Sequence, residues 1–206
     1  MNHSMTLYYV HDPMCSWCWA FRPVWAEICA NLPDHVTTRR LVGGLAPDSD
    51  QPMPQEMQQK LQSIWRVIQH KVPGTQFNFE FWRDCKPRRS TYPACRAVLA
   101  ARSQSVEFEE SMVLAIQQAY YLQARNPSDH ETLIELAGEI GADPQRFADD
   151  LVSKVIDAEL YNEIRAGQAM GAAGFPSLIL EKSGHYQTLR YSYTDAEWVL
   201  SQLNSA

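Results

Sequence analysis

The residues whose types and spacing most clearly suggest chemistry are Cys15 and Cys18, which flank Ser16 and Trp17. Two cysteines at this spacing can close a small disulfide ring. If a helix begins at the motif, the first sulfur lies at its N-terminus, where the macrodipole and free backbone N–H groups stabilise a thiolate. Such a position lowers a cysteine pKa from about 8.5 toward roughly 3.5–7.5. The motif therefore predicts thiol–disulfide chemistry, with Cys15 as nucleophile and Cys18 as resolving partner.

Three further cysteines, Cys29, Cys85 and Cys95, lie outside this motif. Cys29 follows Cys18 by three helical turns, about 16 Å along the axis, so we expect a buried apolar cysteine. Cys85 lies in an electropositive stretch and Cys95 begins a helix, and both settings favour a thiolate. These two cysteines form either a second redox pair or two unrelated thiols.

Two other sequence features concern the chemistry near the motif. His11 precedes Cys15 by four residues and either tunes the cysteine pKa toward the thiolate or is a surface histidine at a strand end. A zinc site needs about four ligands, and no second closely spaced Cys or His pair accompanies the motif. The sequence therefore predicts no metal.

Composition limits the class of protein. The chain has 206 residues, 45% of them hydrophobic, and a net charge of −6 at pH 7, which is typical of a globular protein and argues against nucleic acid as the main partner. No segment approaches the roughly 20 apolar residues of a membrane span. The first residues lack the basic region, the longer apolar region and the cleavage site of a signal peptide. We therefore expect a cytoplasmic protein with no membrane partner.

The elements around the motif predict a βαβ unit. Residues 6–10 are aromatic and β-branched, as in a buried strand. Apolar residues then recur at spacings of three and four from Cys15 to Cys29, which indicates a helix. Residues 36–41 predict a second strand, and the right-handed crossover rule makes this a βαβ candidate.

The rest of the chain changes pattern twice. Residues 49–167 contain successive helical patterns, one of which carries the apolar stripe from Met57 to Ile68. That stripe packs the helices together, or lines a substrate groove or dimer contact. Residues 178–180 then predict a central strand, residues 186–191 its hairpin partner, and a final helix follows Thr194. A helical run of this length between strands indicates an inserted helical subdomain.

The chain resembles the DsbA family of thioredoxin-fold oxidoreductases, and within it the cytoplasmic FrnE-like branch. The resemblance covers essentially the whole chain, including the position of the helical insertion. It rests on three motifs, namely Asp12-Pro13-Met14-Cys15-Ser16-Trp17-Cys18-Trp19, Gly174-Phe175-Pro176-Ser177-Leu178 and Thr91-Tyr92-Pro93-Ala94. The resemblance implies an α/β, thioredoxin-like fold (βαβ…ββα) made of residues 1–48 and 168–206, with residues 49–167 as a large all-helical insertion.

The resemblance also implies how a substrate is held. Pro176 would follow a cis peptide bond and keep the backbone of Phe175 exposed beside the sulfurs. An extended substrate peptide pairs with such a backbone as an added strand. Ser16 and Trp17 would contribute further substrate contacts. This dipeptide differs from the Pro-His of the periplasmic oxidant. Because the residues between the cysteines tune the reduction potential of the pair, the potential of that oxidant does not carry over to this chain.

These features together predict a thiol–disulfide oxidoreductase of the protein disulfide reductase or isomerase type. Its partners would be protein or peptide thiols and disulfides. It would need no cofactor besides its redox-active disulfide, with glutathione as a candidate reductant. The chain would be a monomer or a homodimer.

Two alternative functions stay open. One is a glutathione-dependent isomerase or transferase of the kappa and hydroxychromene carboxylate isomerase type, although that group uses a serine near the position of Cys15. The other is a redox-sensing binding module, in which the disulfide state of Cys85 and Cys95 controls a partner.

Overall fold

A mixed sheet of four strands in the order β2-β1-β3-β4 lies at the centre of the fold. The strands are β1 (Met5–His11), β2 (Val36–Val42), β3 (Ser177–Lys182) and β4 (His185–Thr188) in a computed structural model that describes residues 5–205. Strand β1 pairs parallel with β2 and antiparallel with β3. Because Val10 lies opposite Ser177, the end of β1 and the start of β3 meet at one edge of the sheet.

Helix α1 (Ser16–Ala30) begins directly after Cys15, at that same edge. Its apolar residues recur at helical spacing, so one face bearing Phe21, Trp25 and Ile28 is buried. That face packs on the sheet together with helix α9 (Glu197–Asn204), and the two helices and the strands share one apolar core. The predicted β1, α1 and β2 are confirmed, each within one residue at either end.

Seven helices fill the chain between β2 and β3. They are α2 (Gln55–Lys71), α3 (Phe81–Asp84), α4 (Tyr92–Gln104), α5 (Glu107–Tyr121), α6 (His130–Glu139), α7 (Pro144–Leu151) and α8 (Lys154–Ala169). They form a second apolar core, with α4 buried on all sides. The apolar stripe of α2 packs inward through Trp65 and Ile68, which confirms a packing face.

The predicted order of strands, helical block and strands is confirmed. The division at residues 48/49 and 167/168 stays a prediction, and residues 1–4 and 206 of its outer segments lie outside the described residues. The helical block and the sheet touch closely, since a Cβ added at Gly167 of α8 would lie 3.1 Å from Cγ1 of Val10.

The hairpin after β3 is shorter than the sequence predicts. Strand β4 ends at Thr188, because the side chain of Gln202 bonds both backbone groups of Arg190, at 3.1 Å to its N–H and 2.7 Å to its carbonyl oxygen. The last helix begins at Glu197 rather than near Thr194, and the Asp195 carboxylate accepts the Glu197 N–H at 2.9 Å.

Candidate active site

The two sulfurs of the motif lie at the start of α1. Cys15 is the N-cap residue, with an extended backbone of φ −81° and ψ 116°, and its N–H donates to the carbonyl oxygen of Asp12 at 3.0 Å. The residue keeps 7% of its surface exposed, whereas Cys18, one turn further, is wholly buried. Both are free thiols in this structure. Of these two thiols, Cys15 is therefore the one that an incoming disulfide can reach.

The pKa values of the two thiols are shifted in opposite directions. The pKa of Cys15 lies below its ordinary value because the Cys18 thiol donates a hydrogen bond to it, and the backbone N–H groups of Cys18 and Trp17 add to this effect. Burial and the Asp12 carboxylate oppose it. Burial, reinforced by Cys15, raises the pKa of Cys18 well above its ordinary value. The pair is therefore arranged as a Cys15 thiolate beside a Cys18 thiol.

The loop before β3 covers Cys15. The Phe175–Pro176 peptide bond is cis, as the resemblance implied. The Cys15 sulfur lies 3.6 Å from the carbonyl oxygen of Phe175. The loop is fixed from both sides, since the Tyr191 hydroxyl donates to the carbonyl oxygen of Pro176 at 2.9 Å and the Ser177 hydroxyl to that of Gly174 at 2.7 Å.

The ring of Phe175 depends on a glycine at the end of β2. A Cβ added at Gly43 would lie 1.9 Å from Cε1 of Phe175, so no larger residue fits beneath that ring in its present place. The Gly43 N–H also donates to the carbonyl oxygen of His11 at 2.6 Å. The Gly43-Gly44 turn that closes β2 is thus part of the loop packing around Cys15.

Asp12 ties the active-site loop to the rest of the molecule, and sequence reasoning did not single it out. Its buried carboxylate accepts the N–H of Met14 at 2.8 Å, the N–H of Leu45 at 2.7 Å, the hydroxyl of Thr91 at 2.6 Å and the thiol of Cys95 at 3.4 Å. Burial raises the pKa of Asp12, and these groups oppose that effect because they all donate and so favour the anionic form.

Thr91 contributes to the site through its hydroxyl rather than as a helix cap. It occupies the N-cap position of α4, but its side chain caps nothing. Its hydroxyl instead donates to Asp12 and accepts the N–H of Ala46 at 3.0 Å. The only signal in the sequence is that Asp12 and Thr91 both begin motifs shared with the DsbA family.

Ser16 and Trp17, the residues between the cysteines, are half-buried at the helix start. The Trp17 ring contacts the ring of Tyr193, with centroids 5.0 Å apart, and Tyr193 contacts Tyr191 in turn. Trp19 is half-buried, stacks on Tyr121, and donates through Nε1 to the carbonyl oxygen of Gln76 at 3.0 Å. The aromatic wall made by Tyr191 and Tyr193 was not predicted.

His11 does not lie on the surface, so that alternative is wrong. Its side chain is 1% exposed and stacks on Tyr9 with ring centroids 4.9 Å apart. Burial, together with Arg40 and Arg102, lowers the pKa of His11 to about 3. A neutral imidazole carries no charge that would favour a Cys15 thiolate, so tuning of that kind is not supported.

The expectation of thiolates at Cys85 and Cys95 is wrong. Burial raises the pKa of both thiols, and Asp12 raises that of Cys95 further. They donate to different acceptors, Cys85 to the carbonyl oxygen of Ala124 at 2.9 Å and Cys95 to Asp12. These settings count against a second redox pair. Cys29 is half-buried rather than buried, and burial raises its pKa to about 11.

Residues 5–205 contain no cluster of three or more His, Cys, Asp or Glu side chains that could hold a metal ion. Within the same residues, no helix is both long and apolar enough to cross a membrane.

Comparison with known proteins places the chain among thioredoxin-fold proteins. A model of a thioredoxin family matches residues 8–189. The cytosolic disulfide reductase DsbM of Pseudomonas aeruginosa superposes with a TM-score of 0.79 and 27% identity, covering 98% of this chain and 100% of DsbM. DsbM solved with GSH superposes with a TM-score of 0.73 and 26% identity, covering 97% of this chain and 94% of DsbM. These matches confirm the predicted thioredoxin-like fold with a helical insertion.

Two curated relatives carry a different name. The ClpXP adapter protein SpxH of Halalkalibacterium halodurans is 22% identical over 196 residues, covering 88% of this chain and 63% of SpxH. SpxH of Bacillus subtilis is 21% identical over 182 residues, covering 88% of this chain and 60% of SpxH. The chain thus spans about three fifths of the length of the curated relatives that it matches.

Proposed function

Since the chain belongs to the thioredoxin family, within its DsbA-like group, we propose that it is a thiol–disulfide oxidoreductase in which Cys15 is the nucleophile and Cys18 the resolving thiol. The observation that carries this proposal is the difference between the two thiols: Cys15, at the helix start, keeps 7% of its surface exposed and has a lowered pKa, whereas Cys18 is wholly buried and has a raised pKa. A thiolate, not a thiol, attacks a disulfide. The asymmetry therefore assigns the two roles.

The reaction proceeds in two exchanges. The Cys15 thiolate attacks one sulfur of a substrate disulfide, so a Cys15–substrate bond forms and the other substrate sulfur leaves as a thiolate. Cys18 then attacks Cys15, the Cys15–Cys18 bond forms, and the second substrate sulfur leaves. The substrate is reduced by two electrons and the cysteine pair is oxidised. An external thiol returns the pair to the reduced form.

The substrate would bind across the Cys15 sulfur between two walls. On one side, the backbone of Phe175 and Pro176 offers an edge to an extended peptide. On the other, Ser16 and Trp17 lie at the helix start, half-buried. We infer that this peptide is a segment of a protein, because backbone pairing accepts any sequence and the aromatic side chain favours apolar residues.

The direction that we propose is reduction or isomerisation in the cytoplasm, with glutathione as the returning thiol. Support comes from the likeness to DsbM, which is named a cytosolic disulfide reductase and was also solved with GSH. The Asp12 carboxylate raises the pKa of both cysteines, which opposes a thiolate of extreme stability. A strongly stabilised thiolate is what makes a cysteine pair a strong oxidant, so this contribution of Asp12 acts toward the reducing direction, although the pKa of Cys15 is lowered overall.

Insulin reduction with dithiothreitol tests the proposal. We expect the wild-type protein to accelerate the reaction and Cys15→Ala to abolish the acceleration. Cys29→Ala is the matched control, since that thiol lies outside the site and its pKa is raised to about 11. Equal rates with and without Cys15 would contradict the proposal.

A second candidate function follows from the likeness to proteins named ClpXP adapters. In that case the fold would act as a protein-binding module, and partner binding would persist in a Cys15→Ala, Cys18→Ala double variant that has lost all turnover. The glutathione-dependent isomerase alternative makes a separate prediction. It requires tight glutathione binding in a Cys15→Ser, Cys18→Ser double variant, and the retained cysteine pair counts against it.

A further inference from the structure

A pocket of about 280 Å³ opens between the loop that precedes β3, helix α8 and the glycine turn that follows β2. Its walls include Gly44, Leu45, Ile164, Gln168 and Phe175, and we call it the side pocket. Phe175 belongs both to this pocket and to the active site, because its carbonyl oxygen lies 3.6 Å from the sulfur of the nucleophilic cysteine. The side pocket is therefore a direct neighbour of the reacting atom.

The walls of the side pocket are closely packed behind it and open at its mouth. A Cβ added at Gly44 would lie 2.5 Å from Cδ1 of Ile164, and φ of +64° also favours glycine there. A Cβ added at Gly43 would meet the Phe175 ring. At Gly174, by contrast, an added Cβ would meet nothing within 4 Å. The space is thus accessible from the loop that lies beside the active site.

The lining decides which chemical groups suit the side pocket. Among the described residues that line it, no side chain carries a charge, and only that of Gln168 is polar. A charged group that entered would lose water without gaining a counter-charge. Pockets that hold whole small molecules measure roughly 300–1,000 Å³, so this one lies at the lower limit of that range. An uncharged side chain is the occupant that the size and the lining favour.

Apolar surface continues from the side pocket in the direction away from the cysteine pair. Leu45 and Tyr161 are 36% and 41% exposed, which is unusual for large apolar side chains. Tyr161 lies one turn before Ile164, on the same face of α8. Its ring also packs edge-on against the ring of Tyr92, with centroids 5.9 Å apart. An extended chain that leaves the side pocket would therefore meet more apolar surface.

The backbone of the loop offers hydrogen-bond donors beside the same pocket. Within the part of the chain that the structure describes, the N–H groups of Ala173, Gly174 and Phe175 donate to no protein acceptor. A peptide that lies along this loop in an extended conformation can accept from them. Its residues advance about 3.3 Å each. A side chain one or two residues from the reacting cysteine would thus reach the pocket when that cysteine lies over Cys15.

We propose that the side pocket is a subsite for an apolar side chain of the substrate protein, one or two residues from the cysteine whose disulfide Cys15 attacks. This inference rests on the proposed function. The substrate backbone pairs with the loop before β3, and the side chain enters between Leu45, Ile164 and Phe175. The protein therefore selects disulfides by the residues that flank them, and prefers those with a bulky apolar neighbour.

Short peptides that carry one cysteine as a mixed disulfide with thionitrobenzoate test the preference. The Cys15 thiolate attacks the peptide sulfur, the Cys15–peptide bond forms, and the coloured thionitrobenzoate leaves with the electron pair. The two positions on either side of the cysteine carry glycine, leucine, aspartate or lysine in turn. At one of them we expect leucine to raise the rate constant about 10-fold over glycine. Rates measured with Cys15→Ala are subtracted.

A charge placed at the wall of the side pocket should change this preference. Gln168 is exposed on α8. With Gln168→Lys, we expect the leucine-to-aspartate ratio of rate constants at the selected position to fall at least about threefold, the range of an exposed ion pair. Gln168→Glu should lower the leucine-to-lysine ratio similarly. Gln59→Lys, at an exposed glutamine of α2, is the control and should leave both ratios unchanged. A variant that folds poorly lowers both rate constants and keeps their ratio.

Three outcomes would overturn the inference. The first is a set of wild-type rate constants that agree within about twofold for all four side chains at every position. The second is a change of the ratio in Gln59→Lys as large as in Gln168→Lys, which would mean a general effect of charge. The third is a mixed disulfide of glutathione that reacts faster than every leucine peptide. If wild-type protein and Cys15→Ala react equally with all peptides, the proposed function itself fails.

Discussion

The sulfur of Cys15 lies 3.6 Å from the backbone carbonyl oxygen of Phe175, although 160 residues separate them in sequence. The contact exists because β1 and β3 are antiparallel neighbours, so the loop that leaves β1 meets the loop that enters β3. A substrate sulfur that reaches Cys15 must therefore pass beside the Phe175 backbone. This single relationship places the attacking atom and the peptide-binding edge together.

Alkylation with iodoacetamide should modify Cys15 before any other cysteine. Its pKa is lowered by the Cys18 thiol, so the rate stays constant as pH falls until the folded-state pKa is reached, and drops about tenfold per unit below it. The same shift stabilises the folded reduced protein above the unfolded-state pKa, and that contribution is lost as pH falls through the folded value. Peptide mapping across pH gives the profile. A Cys15 inflection at or above the ordinary cysteine value of about 8.5 would contradict the assignment.

Asp12→Asn should make the protein less stable and Cys15 more acidic. The amide presents an NH₂ group to donors that now bond a carboxylate, which costs about 1–3 kcal/mol. Removing the negative charge also removes a contribution that raises the pKa of Cys15. Urea unfolding and the alkylation profile measure the two effects. Asp34→Asn, at an exposed aspartate, is the control and should change neither.

Gly43→Ala should impair the site through Phe175. The added Cβ would lie 1.9 Å from the Phe175 ring, so the ring and its loop must move, at a cost of about 1–3 kcal/mol. We expect slower insulin reduction together with the lost stability. Gly138→Ala is the control. Gly138 lies within α6, and an added Cβ there would meet only the side chain of Pro144, at 3.5 Å. It should stabilise by roughly 0.5–1 kcal/mol. Full activity in Gly43→Ala would show that the ring position is unimportant.

Cys85→Ser and Cys95→Ala should leave insulin reduction unchanged. Both thiols have raised pKa values and donate to separate acceptors. Cys95→Ala removes a buried group and one donor to Asp12, so we expect a loss of stability on the order of 1 kcal/mol. If either substitution abolishes turnover, or if mass spectrometry of the oxidised protein finds a Cys85–Cys95 bridge, the two cysteines do form a second redox pair.

Local pattern was enough to predict the elements that carry the site. The strand before Cys15, the apolar spacing along α1 and the proline before β3 are all visible in short windows of sequence, since each depends on neighbouring residues. The same holds for the helical block, whose turns are marked by residues such as Pro144. Because the helical spacing begins at Cys15, the sequence also predicted that this cysteine lies at a helix start.

Contacts between distant segments could not be predicted. The Asp12 carboxylate accepts hydrogen bonds from Leu45, Thr91 and Cys95, which come from two other parts of the chain. The sequence indicates a histidine at a strand end, and only the folded structure shows that His11 is buried and stacked on Tyr9. The errors at Cys85 and Cys95 have the same origin, because burial raises the pKa of both thiols, and neither nearby basic residues nor a helix start reveals burial.

The most direct test of the central claim is covalent trapping with Cys18→Ser. Without the resolving thiol, the Cys15–substrate disulfide should persist, and mass spectrometry after incubation with an oxidised peptide should find an adduct on Cys15. The wild-type protein should show none, because Cys18 releases the peptide and leaves a Cys15–Cys18 disulfide. An adduct on Cys29 or Cys85 instead, or no adduct on Cys15 in the Cys18→Ser protein, would contradict the account.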